Sequence, residues 1–377
     1  MRTYLIVIIA LATCVFGDEG DKLAISYAES LDNEFQEMLA LHGTRKLCAP
    51  STDVPSETKK KLTFFLMARN DNYGGYPSAL RLRASLQAVV WGLTRRALWD
   101  VAEVIVVDWN SQHPLVCEPL MQTVLRGVPM NCSNGAPDNG DCYQDRVRFI
   151  TVPPAVVAKI YDAHNHTHHS GLSETHAFNL AARHARGEAI LRLDQDTYTR
   201  DGLFDYIADV SKSAHFEDWR HFIGWYGRDC GYRRGAVPTI PHAAPDVSFD
   251  PGCVRKDRPS FSPEESPPGF GGAVGIMSFP IWLVERVMGM NENLVHWGGM
   301  ESDIYDRIKE LNSITPMKEW RGVLDLSKHF CGGFCHLEHD YSHEKRLVNG
   351  MDGPTLFENN ADWGLFGIYS TLRQDVF

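Results

Sequence analysis

The sequence predicts an α/β fold with a mostly parallel central sheet flanked by helices. Short apolar runs alternate with segments of helical period, turn residues bound the runs, and acids or an arginine stand near several run ends. In sheets of this kind ligands bind in the crevice outside the carboxyl ends of the strands. The fold class therefore also says where chemistry should be sought.

Leu62-Thr63-Phe64-Phe65-Leu66-Met67 is the first buried strand. The turn-rich Asn70-Asp71-Asn72-Tyr73-Gly74-Gly75 follows, then a helical pattern from Ala79 to Leu98. Val104-Ile105-Val106-Val107 makes a second strand ending at Asp108, and Val147-Arg148-Phe149-Ile150-Thr151-Val152 a third. A helix from Ser173 to Arg186 is expected to stop at Gly187, because glycine suits a helix C-terminus. The fourth strand, Ala189-Ile190-Leu191-Arg192-Leu193, runs into Asp194-Gln195-Asp196. Phe222-Ile223-Gly224 reads as a further strand, with Trp225 and Tyr226 beyond it as core or sheet-edge residues. From Tyr226 to Gly272 the chain is rich in Pro and Gly and reads as a long loop, which Cys230 and Cys253 could clip. Loops of that length are usually lids or binding loops. By this reading Arg69, Asp71, Asp108, Asp194 and Asp196 all fall just past strand ends.

The chain has 377 residues, 44% hydrophobic and 23% charged, with a formal net charge of −11. That balance excludes an electrostatic nucleic-acid binder. The one short basic run, Lys59-Lys60-Lys61, reads as a solvated flank. Arg2, the apolar stretch from Tyr4 to Phe16 and the cleavage-like Val15-Phe16-Gly17 predict a signal peptide at residues 1–17, with a short uncleaved anchor as the alternative. Membrane contact is expected only in that second case. Residues 18–60 read as a helical, polar stem, and 61–377 as one large domain. Removing Cys14 leaves eight cysteines, and Asn131-Cys132-Ser133 and Asn165-His166-Thr167 are glycosylation acceptors. All three features predict a secretory route with disulfides, in the Golgi or ER lumen or outside the cell.

Asp194-Gln195-Asp196 is the first candidate for chemistry. In an extended backbone its two acids would share a face, and paired carboxylates suit a hard cation that neutralises a diphosphate. His336-Leu337-Glu338-His339 is the second, since histidines three apart can share one face of a turn, and imidazole suits Mn²⁺ or Zn²⁺ better than Mg²⁺. His343 could substitute for His339. In Trp297-Gly298-Gly299-Met300-Glu301-Ser302-Asp303 a helix begins. Its glycines allow a ligand close approach, Trp297 offers a stacking face, and Glu301 a general base. Acids in a first helical turn are also favoured by the helix dipole alone. The cluster His164-Asn165-His166-Thr167-His168-His169 reads as a solvated loop.

These segments resemble a known family. Phe270-Gly271-Gly272-Ala273 followed by Trp297-Gly298-Gly299-Met300-Glu301-Ser302-Asp303-Ile304-Tyr305 is similar to the acceptor-side region of β-1,4-galactosyltransferases and related GT-A enzymes. Their pattern is Phe-Gly-Gly and then Trp-Gly-Gly-Glu-Asp-Asp-Asp-Ile. Asp194 and Asp196 match the family's metal motif, His336 and His339 its downstream histidine pair. Thr175 to Asp196, with Asn179 and Gly187-Glu188, resembles the stretch before that motif in family-2-type glycosyltransferases. The likeness runs over roughly residues 62–345.

The resemblance implies a GT-A fold and a metal-dependent, inverting transfer of a hexose-type sugar from a nucleotide-sugar, a UDP-sugar first, to a glycan, glycoprotein or other hydroxyl acceptor. It implies Mn²⁺ or Mg²⁺ on Asp196, His336 and His339, with Asp194 on ribose or metal. Arg69, Asp71, Asp108, Gly272 and Trp297 would contact the donor. Glu301 would be the base, and Asp303 the alternative if Glu301 is too long. Met300 and Ser302 replace acids that hold the acceptor sugar, so acceptor identity is not inherited. Two rival readings are a metal-dependent hydrolase, which lacks the HExxH signature, and a non-catalytic carbohydrate-binding protein with a degenerate transferase fold.

Overall fold

The computed structural model describes residues 59–69, 78–109, 147–152, 154–163, 172–199, 201–211, 222–225, 274–296, 298–317, 324–325, 334–336 and 363–364. The signal and stem predictions, the loop of 226–272, both glycosylation acceptors and every cysteine except Cys335 lie outside these residues. Along the chain the elements are β1 (Lys60–Ala68), α1 (Ser78–Arg95), β2 (Ala102–Trp109), β3 (Val147–Val152), α2 (Pro154–Ala163), α3 (Glu174–His184) and β4 (Gly187–Leu193). They continue with β5 (Thr197–Thr199), α4 (Asp201–Ser211), β6 (Phe222–Trp225), β7 (Val274–Pro280), α5 (Ile281–Arg286), α6 (Met300–Ile314), β8 (Leu324–Asp325) and β9 (Phe334–His336).

Seven strands form one sheet in the order β3-β2-β1-β4-β7-β6-β8. Only β7 runs against its neighbours β4 and β6; the remaining pairs are parallel. Strands β2 and β4 are buried nearly throughout, and β1 is buried from Leu62 onward. Helices cover both faces of such strands, which explains continuous apolar runs in place of alternation. One face carries Phe65, Val107, Ile190 and Met277 against α2, α3, α5 and α6. The other carries Phe64, Leu66, Val106 and Leu191 against α1 and α4. Phe65 meets Phe178 edge-on and Phe64 stacks on Phe204, both at 6.0 Å between centroids. Among the described residues no helix is long and apolar enough to cross a membrane.

The basic flank differs from expectation. β1 already begins at Lys60, whose Nζ donates to Trp99 O at 2.8 Å, while Lys61 pairs with Glu188. The role expected of Gly187 is also corrected. α3 ends at His184, with Ala185 extended as its cap, and Gly187 opens β4. A Cβ there would lie 2.5 Å from Thr63 N and 2.6 Å from the Leu62 carbonyl carbon. The residue is glycine because β4 starts hard against the β1 backbone. The Gly187 N–H donates to Thr63 Oγ1, whose hydroxyl donates to the buried Glu103, which also accepts from Arg148 and Arg186 N. Gly187→Ala should therefore cost roughly 1–3 kcal/mol, read as a lower urea midpoint at unchanged slope. An unaltered midpoint would show that this strand start yields freely.

Chain order runs β1, β2, β3 to one side and then returns to β4 on the other side of β1. The reversal opens a crevice at the carboxyl ends of β1 and β4. A turn anchored by Asn179 leads from α5 towards α6. Its amide donates to Met290 O and Glu292, and its oxygen accepts from Met290 N at 2.7 Å. The resemblance at Asn179 thus falls on a residue with a structural role.

Candidate functional site

At the end of β4 the chain must leave the sheet, and it does so by a turn. The Thr197 N–H donates to Asp194 O at 2.9 Å, and Ser85 of α1 holds Gln195 O at 2.8 Å. The extended backbone expected for Asp194-Gln195-Asp196 is therefore replaced, and with it the argument that both acids share a face. Asp194 bonds to Arg192, whereas Asp196 lies beside Arg81 of α1, at 3.4 Å. Asp196 is nonetheless close enough for its charge to raise the Asp194 pKa.

Arg192 organises the site. Its side chain is 4% exposed, and it lies on the sheet face that α3 and α6 cover, opposite Phe65 and Met277 in register. Nε donates to Asp194 at 3.0 Å, with Nη2 2.8 Å from the same oxygen; Nη2 donates to Glu174 at 2.7 Å, and Nη1 to Glu301 at 2.7 Å. Glu174 sits in the first turn of α3 and Glu301 in the first turn of α6. Helix N-termini favour such acids. α6 can start where it does because Gly298 and Gly299 hold φ of 90° and 83°, a left-handed conformation that costs other residues free energy.

Three carboxylates on one guanidinium leave surplus negative charge. Burial works against the Arg192 charge, but Asp194, Glu174 and Glu301 outweigh it and hold its pKa well above the ordinary value. Burial pushes Glu174 up to about 8 against the pull of Arg192, with Asp194, Glu301 and Asp196 adding to the rise. Asp194 is raised to about 6, again first by burial. Both acids bind protons more tightly folded than unfolded. The stability they contribute is complete below the ordinary carboxylate range and is lost as pH climbs through about 6 and then about 8. Without divalent cation, the melting temperature should fall as pH rises from about 5 to about 9. A flat or rising calorimetric profile in chelator would contradict this.

Asp303 does not join the cluster. Its carboxylate accepts from Nε of the buried Arg307 and pairs with its Nη2 at 2.8 Å, and that arginine also donates to Val287 O and Gly289 O. Arg69, half-buried after β1, lies near Tyr161 of α2, whose pKa burial raises and the Arg69 charge lowers. Asp108 is fully buried within β2, opposite Ala68 and Thr151, so it lies before the strand end expected for it. His336 is brought close by backbone pairing. In the β5–β9 ribbon Thr197, next to Asp196, lies opposite His336. Asp71, Gly272, Trp297 and His339 lie outside the described residues, as do the side chain of His336, His343 and the His164–His169 cluster. Among the described residues no three His, Cys, Asp or Glu side chains are arranged to hold a metal ion.

Arg192, Glu174 and Arg81 went unnoticed in the sequence reading. One signal was present for Arg192: it is the only charge between Ala189 and Leu193, inside an apolar run, and a buried charge requires partners.

No family model and no curated protein matches the chain. It is similar to the solved structure of S. aureus TarS in complex with UDP-GlcNAc, at 12% identity over 76% of this chain and 62% of that one, with a TM-score of 0.44. It is also similar to the mannosyltransferase PcManGT from Pyrobaculum calidifontis in complex with GDP-Man and Mn²⁺, at 16% identity over 80% and 66%, TM-score 0.34. A third similar structure is the galactosyltransferase LgtC in complex with donor and acceptor sugar analogs, at 13% identity over 72% of both chains, TM-score 0.28. The chain spans less than two thirds of the TarS structures it matches. The α/β architecture rests on the strand order and register above, not on these likenesses.

Proposed function

We propose that this chain is a glycosyltransferase with a GT-A-type centre, moving a hexose-type sugar from a nucleotide-sugar, a UDP-sugar first, to an acceptor hydroxyl with inversion. One observation carries the reading: Asp194 at the end of β4 and Glu301 at the start of α6 meet on one buried arginine. Sugar transfer needs a carboxylate that can hold a cation on the diphosphate side and a base on the acceptor side within one crevice, and these residues would supply both. The sequence resemblance at the same two positions supports it.

Asp194 and Asp196, with His336 and His339, are the residues that would hold Mn²⁺ or Mg²⁺. Their oxygens suit either ion, and imidazole favours Mn²⁺. Burial first, and then the nearby charges of Asp196 and Glu301, raise the Asp194 pKa against the pull of Arg192, and a bound cation would relieve both. A bound ion would neutralise charge on the leaving diphosphate. Glu301 would take the acceptor proton as the acceptor oxygen attacks the anomeric carbon, opposite the departing nucleoside diphosphate. Arg69, Asp71, Asp108, Gly272 and Trp297 would line the donor side. The ion pair of Asp303 with Arg307 favours Glu301 over Asp303 as base. The signal-like N-terminus and glycosylation acceptors support a place in the secretory lumen.

The test is to incubate the purified protein with Mn²⁺ and a panel of sugar nucleotides and measure nucleoside diphosphate release. Release from one donor, with nucleotide stabilisation that requires the metal, is the expected result. Stabilisation by free glycans, with no release from any donor, would replace the enzyme by a carbohydrate-binding protein.

A further inference from the structure

We propose that Arg192 is the positioning residue of this centre: its buried guanidinium sets the separation between the diphosphate-side Asp194 and the acceptor-side Glu301. The inference rests on the reading above and goes beyond it, because neither the metal motif nor the expected base contains this residue. Arg192 bonds both acids through one guanidinium. It stands on the central strand β4, and its partners lie just past that strand and on α3 and α6, so it ties the middle of the sheet to two helix N-termini at one point.

The stoichiometry argues against a purely structural ion pair. One guanidinium facing Asp194, Glu174 and Glu301 gathers more negative charge than it balances, and unbalanced buried charge is costly. A fold selected for stability alone would do better with well-packed apolar residues in place of the whole cluster, arginine and acids together. The planar fork of arginine also has a geometry that lysine cannot reproduce. Nε and Nη2 grip Asp194 along one edge while Nη1 reaches Glu301 on the other. Glu174 shares Nη2 and holds the fork in its plane. Displacing Glu301 by about 1 Å would be enough to cost about 10²-fold in rate.

Three measurements decide the matter. Arg192→Lys keeps the charge but loses the fork, and should lower kcat about 100-fold while the donor KM moves far less. Arg192→Ala should recover activity with millimolar guanidinium but not with ammonium at equal ionic strength. The third measurement needs no transfer at all. In an Arg192→Met background the three acids face each other uncompensated, so adding Glu301→Gln should raise the melting temperature. Wild-type kcat in Arg192→Lys, equal response to the two cations, or a melting temperature that Glu301→Gln leaves unchanged or lowers would each overturn the proposal. If the wild-type protein transfers no sugar, the functional reading falls by itself, and the melting experiment still decides whether Arg192 holds Glu301 against the other acids.

Discussion

Glu301→Gln is expected to lower kcat for sugar transfer by roughly 10²–10⁴-fold while leaving nucleotide binding intact. The geometry makes this substitution informative. The Glu301 oxygen that meets Arg192 accepts a hydrogen bond at 2.7 Å, and the carbonyl oxygen of glutamine can accept the same bond. Position is kept and proton affinity is removed. The variant also relieves part of the negative crowding that raises Asp194 and Glu174, so its melting temperature should not collapse. Kinetics at saturating donor, beside calorimetric titration with the nucleotide, separate the two quantities. Turnover near wild type would take the base away from Glu301. Asp303 would not inherit the role easily, because moving it would strip Arg307 of its carboxylate partner.

Asp196→Asn should abolish the stabilisation that a nucleoside diphosphate gains from Mn²⁺, and slow transfer by about 10²-fold or more. Losing a cation's grip on a leaving diphosphate forfeits several kcal/mol of charge stabilisation, and each ~1.4 kcal/mol is tenfold. Asparagine keeps an oxygen for Arg81, and Ser85 still holds the turn through Gln195 O, so the local backbone should survive. A thermal-shift series with nucleotide, metal, both and neither reads the effect directly. If the metal-dependent shift persists in Asp196→Asn, the ion is held elsewhere and the strand-end acids have another purpose.

The strands β1 and β2 were readable because burial on both faces writes itself as nearly continuous apolar runs, as in Leu62–Met67 and Val104–Val107. Neither β7 nor its reversed direction was read from the sequence, since a short run after a long loop carries no mark of its orientation. Gly187 was assigned the wrong local role because glycine serves equally well after a helix and where two backbones crowd; only the nearness of Leu62 and Thr63 separates these. The turn at Asp194–Asp196 escaped notice for a related reason, as its closing bonds involve backbone and a serine from distant α1. Asp194 and Glu301 could be picked out as acids at expected element ends, but their common partner could not. Nothing local in Glu174, Asp194 and Glu301 says that they converge. That information lies in how α3 and α6 pack on one face of the sheet.

The short ribbon of β5 and β9 sets an order of events in biosynthesis. The sheet core, both glutamate-bearing helices and Arg192 all precede Phe334 in the chain, whereas the partner of Thr197 is His336. As the polypeptide emerges from the ribosome, the acids can gather well before the strand that closes over their turn has been made. The β5–β9 pairing therefore waits on residues made after both glutamate-bearing helices, and is a late step in building this end of the sheet.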